Sequence, residues 1–245
     1  MKSKGFLFII ILAMLMQSFL SFNMLADRYD GKFPTALIFL LGIEPKTEYT
    51  PFILWYFVFV SISFYFTGDI AESLSGYGKY MLIRQYNKVK WIIRRFLTIA
   101  IKLFGFSILQ SILSFFTVSI WLQKQVEFSH FNMLLKALSI YYLTLLSLLL
   151  LQMLLELYIE PQIALVSVNI YVVFSIALAG ILFVYNKGQL LLYCLLPNYA
   201  MGLRTSIAPE NSMFISYPVA VTVLFIMLAI IVVISAKKIQ VKDLY

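Results

Sequence analysis

Long apolar runs separated by short polar clusters are the main pattern of this chain. Each run matches the roughly 20 residues that a helix needs to cross the hydrocarbon core of a bilayer. Helices are expected because lipid offers no partner for unpaired backbone groups. We therefore predict an all-α membrane protein with six transmembrane helices, located roughly at residues 5–25, 50–68, 95–121, 131–156, 162–185 and 216–236.

The composition agrees with a bilayer environment. Hydrophobic residues make up 62% of the 245 residues and charged residues only 12%, whereas soluble domains carry about 25% charged residues. The polar connections between the runs are too short to build a separate soluble domain. We therefore interpret residues 1–245 as a single transmembrane domain.

Lysine and arginine set the predicted orientation, because they accumulate in cytoplasmic loops. With the N-terminus inside, seven basic residues lie on the outer side: Arg28, Lys32, Lys46, Lys124, Lys136, Lys187 and Arg204. Eleven lie on the cytoplasmic side: Lys2, Lys4, Lys79, Arg84, Lys88, Lys90, Arg94, Arg95, Lys237, Lys238 and Lys242. We therefore expect a multi-pass protein with both termini in the cytoplasm. Contact with anionic lipid headgroups accounts for the net charge of +8, and no nucleic-acid partner is expected.

Two apolar segments on the predicted outer side are too short to span a bilayer. Residues 35–43 precede the second span, and residues 190–203, interrupted by Pro197 and Gly202, precede the sixth. We expect partly inserted segments, and a re-entrant hairpin and a short helix lying in the interface are equally compatible with the pattern. The single cysteine, Cys194, is interpreted as a small buried hydrophobe.

The connection between the second and third spans, Gly68 to Phe96, differs from every other loop. Its apolar residues recur at helical spacing, which predicts an amphipathic helix on the cytoplasmic surface. They are Ile70, Leu74, Tyr77 and Met81. Gly76 and Gly78 each disfavour a helix by about 1 kcal/mol, so a kink or a helix-turn-helix is expected. A basic interfacial linker that only anchors the helix ends is the alternative interpretation.

This loop, six spans and two cytoplasmic ends together resemble the permease subunit of an ABC-2 type exporter. The segment GYGKYMLIRQYNKVKW, from Gly76 to Trp91, is similar to small Gram-positive permeases of peptide export and lantibiotic immunity. In that family the loop forms a coupling helix that sits in a groove of a separate ATPase subunit. The resemblance places the ATPase contact at Glu72, Ser75, Gly76, Tyr77, Gly78, Lys79, Tyr80 and Arg84. Such permeases often begin with an amphipathic elbow helix, whereas only Met1 to Lys4 precede the first predicted span.

The resemblance implies a permease subunit of an ATP-driven exporter in a bacterial plasma membrane. Its substrate would be a small amphipathic or apolar molecule, and the resemblance indicates a peptide. No G-x-x-x-x-G-K-[ST] motif occurs in the chain, so we do not expect it to be an enzyme or to hold a cofactor. ATP and Mg²⁺ would bind a separate ABC ATPase subunit, and a second permease copy, identical or related, would complete the transporter.

Three charged residues near the membrane boundary form a possible intrabundle cluster: Lys102, Glu156 and Glu160. The two glutamates lie four residues apart at the cytoplasmic end of the fourth span, on one helix face. They either meet the basic first cytoplasmic loop or relay protons as in secondary transporters. Lys102 either extends to the headgroups or pairs with Glu156.

Two other functional classes are alternatives to the exporter. An intramembrane enzyme needs a nucleophile with its base, paired aspartates or a metal-binding cluster, and the chain has no such catalytic or metal-ligating set. A self-sufficient secondary transporter or membrane-bound immunity protein, without an ATPase partner, is the alternative. Its usual charged or broken helices at the membrane midplane are not evident in the pattern.

Overall fold

A computed structural model describes residues 4–29, 33–43, 49–75, 87–121, 131–209 and 213–241. Within these ranges the chain is helical and has no strand, apart from an isolated bridge between Thr205 and Ile215. The α-helices are α1 Lys4–Tyr29, α2 Tyr49–Phe66, α3 Asp69–Ser75, α4 Lys88–Phe116, α5 Phe131–Glu156, α6 Pro161–Tyr185, α7 Gln189–Leu192 and α8 Tyr217–Val241.

The predicted all-α membrane fold is confirmed. Six helices in the described residues, α1, α2, α4, α5, α6 and α8, are long and apolar enough to cross a bilayer. Their faces away from the bundle expose large apolar side chains such as Phe8, Phe174 and Phe225, as expected for lipid contact. The chain is therefore a multi-pass membrane protein.

The helix ends follow local chemistry that hydropathy does not capture. The third spanning helix begins at Lys88, seven residues before the predicted start, because the Asn87 side chain accepts a hydrogen bond from the Lys90 amide at 3.1 Å. The basic residues that follow lie on a helix that already extends beyond the apolar run. Pro161 lies in the first turn of α6, where its missing N–H costs no helical hydrogen bond.

Helix α5 is the centre of the bundle. In the 18-residue apolar stretch of α5, 67% of the residues are buried, compared with 22% in the corresponding stretches of α4 and α8. It packs against α2, α4, α6 and α8, and against both short apolar segments on the predicted outer side. Four of the five other spanning helices therefore pack against α5, whereas α1 packs mainly against α2 and α4.

The two short apolar segments are inserted among the spanning helices. Thr35–Leu41 forms a 3₁₀ helix that packs against α1, α4 and α5, and its residues Ile38 to Leu41 are at most 1% exposed. The second segment continues from α7 through the 3₁₀ turns Leu196–Ala200 and Gly202–Arg204. The expectation for Cys194 is wrong, because that residue is exposed at the edge of this segment.

The two inserted segments contact each other through a pair of glycines. Gly42 has φ +71°, and a Cβ there would lie 2.8 Å from Cγ of Met201. A Cβ on Gly202 would lie 3.1 Å from the Leu40 carbonyl oxygen. We call the two segments, residues 33–43 and 189–209, the outer cap; their backbones approach closely because neither glycine has a side chain.

Replacing Gly202 tests this contact. Gly202→Val forces a branched side chain against the Leu40 carbonyl, so we expect a loss of about 2 kcal/mol of folding free energy and a lower midpoint of thermal unfolding in detergent. Gly105→Val is the matched control, because a Cβ at Gly105 meets nothing within 4 Å. Equal midpoints for the two variants would contradict the proposed contact.

Labelling of introduced cysteines tests the predicted orientation. In a Cys194→Ser background, cysteines are placed at Ser206 and Lys237, both exposed. Because basic residues concentrate on the cytoplasmic side, a membrane-impermeant maleimide should label position 206 in intact cells and position 237 only after permeabilisation. The reverse pattern would overturn the orientation.

Candidate functional site

The junction between the second span and the first loop brings together the end of α2, the start of the predicted coupling helix and Glu156 of α5. Helix α2 ends at Phe66, a turn follows at Thr67 and Gly68, and α3 begins at Asp69. Gly68 adopts φ +78°, a left-handed conformation that favours glycine. Ile70 and Leu74 of α3 are buried, and Glu72 is exposed. The first part of the predicted amphipathic helix is thus confirmed, while Tyr77 and Met81 lie outside the described residues.

Two polar side chains of α5 hold this junction. The Gly68 amide donates to Oε1 of Glu156 at 3.0 Å. One turn earlier in α5, Nε2 of Gln152 donates to Oγ1 of Thr67 at 3.0 Å, and Oε1 of Gln152 accepts from Oγ of Ser63 at 2.5 Å. Glu156 is 4% exposed and Gln152 is fully buried. The end of α2 is therefore hydrogen-bonded to the central helix.

Lipid supplies no hydrophobic driving force for helix association, because its tails are as apolar as the side chains. Hydrogen bonds such as these therefore stabilise the contact between α5 and the junction. Each interhelical hydrogen bond in a bilayer contributes about 0.6 kcal/mol on average. Losing one partner leaves a buried polar group without its bond, which costs about 1–3 kcal/mol in proteins generally. These bonds therefore oppose displacement of the junction relative to α5.

The structure separates the residues that the sequence grouped as a charge cluster. Glu156 is buried at the junction, whereas Glu160 is exposed just before α6, and Lys102 is exposed on α4. The predicted intrabundle cluster of these three residues does not form, because the side chain of Lys102 faces away from the bundle interior. We expected Glu156 and Glu160 on one helix face because they are four residues apart. That prediction is wrong, because α5 ends at Glu156 and the two residues do not share one helix.

The residues assigned to an ATPase contact are only partly visible. Glu72 lies on the exposed face of α3, and Ser75 is its last residue. The other predicted positions, Gly76, Tyr77, Gly78, Lys79, Tyr80 and Arg84, lie outside the described residues.

A second polar contact lies deeper in the bundle and was not predicted. Nε2 of Gln110 in α4 donates to Oε1 of Gln17 in α1 at 2.6 Å, and the hydroxyl of Tyr141 in α5 donates to Oε1 of Gln110 at 3.0 Å. All three residues are at most 2% exposed. Isolated amides inside apolar runs were the available signal, since such groups seek partners on neighbouring helices.

The outer cap contains a buried cation that the sequence placed only among the basic residues of the predicted outer side. Arg204 is fully buried. Its Nη1 donates to Oδ1 of Asn198 at 2.5 Å and to the Ile176 carbonyl at 3.2 Å, and the guanidinium lies 5.6 Å from the Phe183 ring centroid. Burial lowers the pKa of Arg204 to about 9, so it stays charged at neutral pH. Asn198 also donates to the Ser175 carbonyl, which fastens the cap to α6.

A groove of about 600 Å³ runs between α2 and α6. The α2 wall is one helix face, formed by Tyr56, Val60 and Phe64, and the α6 wall extends from Leu165 to Ala177. Its lining is apolar except for Tyr56 and Asn169. The volume lies in the range of small-molecule pockets, roughly 300–1,000 Å³.

The chain belongs to the DUF2705 family, described as "Protein of unknown function", which matches residues 6–245. It is 34% identical over 213 residues to the uncharacterized protein YybK of Bacillus subtilis (strain 168), covering 85% of this chain and 82% of that relative. No solved structure matches the chain. The family relationship thus extends over the whole bundle.

A double-mutant cycle tests the buried cation. Asn198→Leu removes an acceptor from the Arg204 guanidinium, so we expect a loss of about 2 kcal/mol of folding free energy, measured by denaturant titration in micelles. Adding Arg204→Met should cost less than the sum of the single changes, with a coupling of about 1 kcal/mol. Lys187→Met, which removes an exposed cation, is the control and should be additive with Asn198→Leu; additivity in both cycles would contradict the contact.

Proposed function

We propose that this protein is the permease subunit of an ATP-driven exporter of the ABC-2 type, and that α3 with the adjoining loop is its coupling helix. The observation that carries the proposal is the junction. A short helix with two buried apolar residues and an exposed Glu72 follows directly from the second span and is hydrogen-bonded to the central helix through Gly68 and Glu156. This arrangement suits an element that is displaced by a cytoplasmic partner.

The junction favours a coupling helix over a passive basic linker. A linker that only anchors helix ends needs charged and aromatic side chains at the headgroup level. It does not need a buried carboxylate that accepts a backbone amide inside the protein, an arrangement that fixes the direction of α3. The residue pattern from Gly76 to Trp91 supports the same assignment by resemblance.

The groove between α2 and α6 supports an apolar or amphipathic substrate. It is apolar over most of its surface, and Tyr56 and Asn169 supply the polar groups that an amphipathic molecule would need. Peptide export, or immunity to an antimicrobial peptide, follows from the resemblance. The substrate would leave past the outer cap, which closes the predicted outer side of the bundle.

The proposal requires partners, because the chain has no phosphate-binding loop. A separate ABC ATPase would bind ATP and Mg²⁺ and contact α3 and the residues that follow it. A second permease copy, identical or related, would complete the transporter in the bacterial plasma membrane.

Purification from native membranes tests the proposal directly. Tagged protein should co-purify with an ABC ATPase whose hydrolysis responds to the permease. If no ATPase co-purifies and the protein transports its substrate in response to a proton gradient, it is instead a self-sufficient secondary transporter.

Paired substitutions in the loop test the predicted contact. Arg84→Glu with Gly76→Trp reverses a charge and adds bulk at the proposed contact, so we expect the amount of co-purified ATPase to fall about tenfold, which corresponds to about 1.4 kcal/mol of binding free energy. Lys187→Glu with Gly105→Trp is the matched control, because both residues are exposed and lie outside the loop. An intact and fully active complex in the first variant would overturn the coupling-helix assignment.

A further inference from the structure

Five residues join the end of the second span to the central helix: Ser63, Thr67, Gly68, Gln152 and Glu156. We propose that this set, called the latch, makes α3 and α5 move as one body, so that a displacement of α3 enters the centre of the bundle. Glu156 and Gln152 are positioning residues in this proposal. The proposal rests on the proposed function in one respect only, the source of the displacement.

The latch passes through a single residue, Gly68, by way of its amide and its carbonyl. The Gly68 amide donates to Glu156 of α5 at 3.0 Å, and the Gly68 carbonyl accepts from the Glu72 amide of α3 at 2.8 Å. Gly68 thus carries one bond to each helix. A glycine at φ +78° would otherwise be the most flexible point between α2 and α3, and the Glu156 carboxylate removes that freedom.

Gln152 prevents the junction from sliding along α5. Its Nε2 donates to Oγ1 of Thr67 at 3.0 Å and to the Ser63 carbonyl at 3.3 Å, while its Oε1 accepts from the Ser63 hydroxyl. Ser63 of α2 and Thr67, which directly follows that helix, are four residues apart, as Gln152 and Glu156 are on α5. A shift by one residue would break all of these bonds in a buried site, where replacement partners are scarce.

Helix α5 can carry the displacement onward, because it is also bonded beyond the latch. Tyr141, further toward the predicted outer side, bonds to Gln110 of α4, which bonds to Gln17 of α1. Helix α5 also packs against the Leu196–Ala200 turn of the outer cap. The described residues therefore contain a continuous set of contacts from α3 to the predicted outer side, with α5 as the rigid element.

Distance measurements between spin labels on the full chain in lipid nanodiscs test the latch. In a Cys194→Ser background, one label pair joins Ser73 on α3 to Asn132 at the outer end of α5. A control pair joins Asn132 to Lys237 at the other end of α8. Glu156→Leu removes the acceptor for Gly68, and Thr67→Val independently removes one of the two residues to which Gln152 is bonded. Glu156→Gln keeps an acceptor, and Glu160→Gln changes an exposed carboxyl outside the latch.

We expect Glu156→Leu and Thr67→Val to widen the 73–132 distance distribution about twofold, through local release of α3. Glu156→Gln and Glu160→Gln should keep it narrow, and the 132–237 pair should be unchanged in every variant. Unchanged 73–132 distributions in both latch variants would overturn the proposal. Broadening of the 132–237 pair as well would also overturn it, because the effect would then be general loosening of the bundle.

The measurement needs no ATPase. Failure to find an ATPase partner would overturn the proposed function while the label distances still report on the latch. Conversely, a coupled ATPase with unchanged distances in the latch variants would support the proposed function and overturn the latch.

Discussion

The Gly68 amide donates a hydrogen bond to the Glu156 side chain at the point where a spanning helix ends and the short helix α3 begins. Backbone groups at such a point have lost their helical partners, and the protein interior offers no water to replace them. The carboxylate supplies the missing acceptor and fixes the turn at the same time. The direction in which α3 leaves the bundle depends on this bond, and with it the position of the whole first loop.

Side-chain hydrogen bonds near both ends of α5 link it to different neighbours. Near its C-terminal end Gln152 and Glu156 join it to α2, and nearer its N-terminal end Tyr141 joins it to α4 and, through Gln110, to α1. In a bilayer such contacts specify which helices meet, because lipid and side chains are equally apolar. The most buried helix of the bundle is therefore also the one that organises its neighbours.

The length of apolar runs was sufficient to predict the spanning helices, since hydrocarbon thickness imposes a minimum length on any of them. The same rule placed the start of α4 too late, because it counts lysine and arginine as the end of a helix when they only mark its exit from lipid. Pairings such as Gln17 with Gln110 depend on which helices become neighbours, which periodicity does not encode. The burial of Arg204 was not predicted for a related reason: a charged residue is expected to be exposed unless the fold supplies carbonyl and amide acceptors.

The glycine contact in the outer cap also has a consequence for how the protein is made. Residues 33–43 enter the membrane early in synthesis, but Met201 and Gly202, against which Leu40 and Gly42 pack, are among the last segments to emerge. Until then the first cap segment lacks the neighbour against which Leu40 and Gly42 pack. The bundle can thus close only after the last third of the chain has been inserted, and an interrupted chain would leave an open face for membrane quality control to recognise.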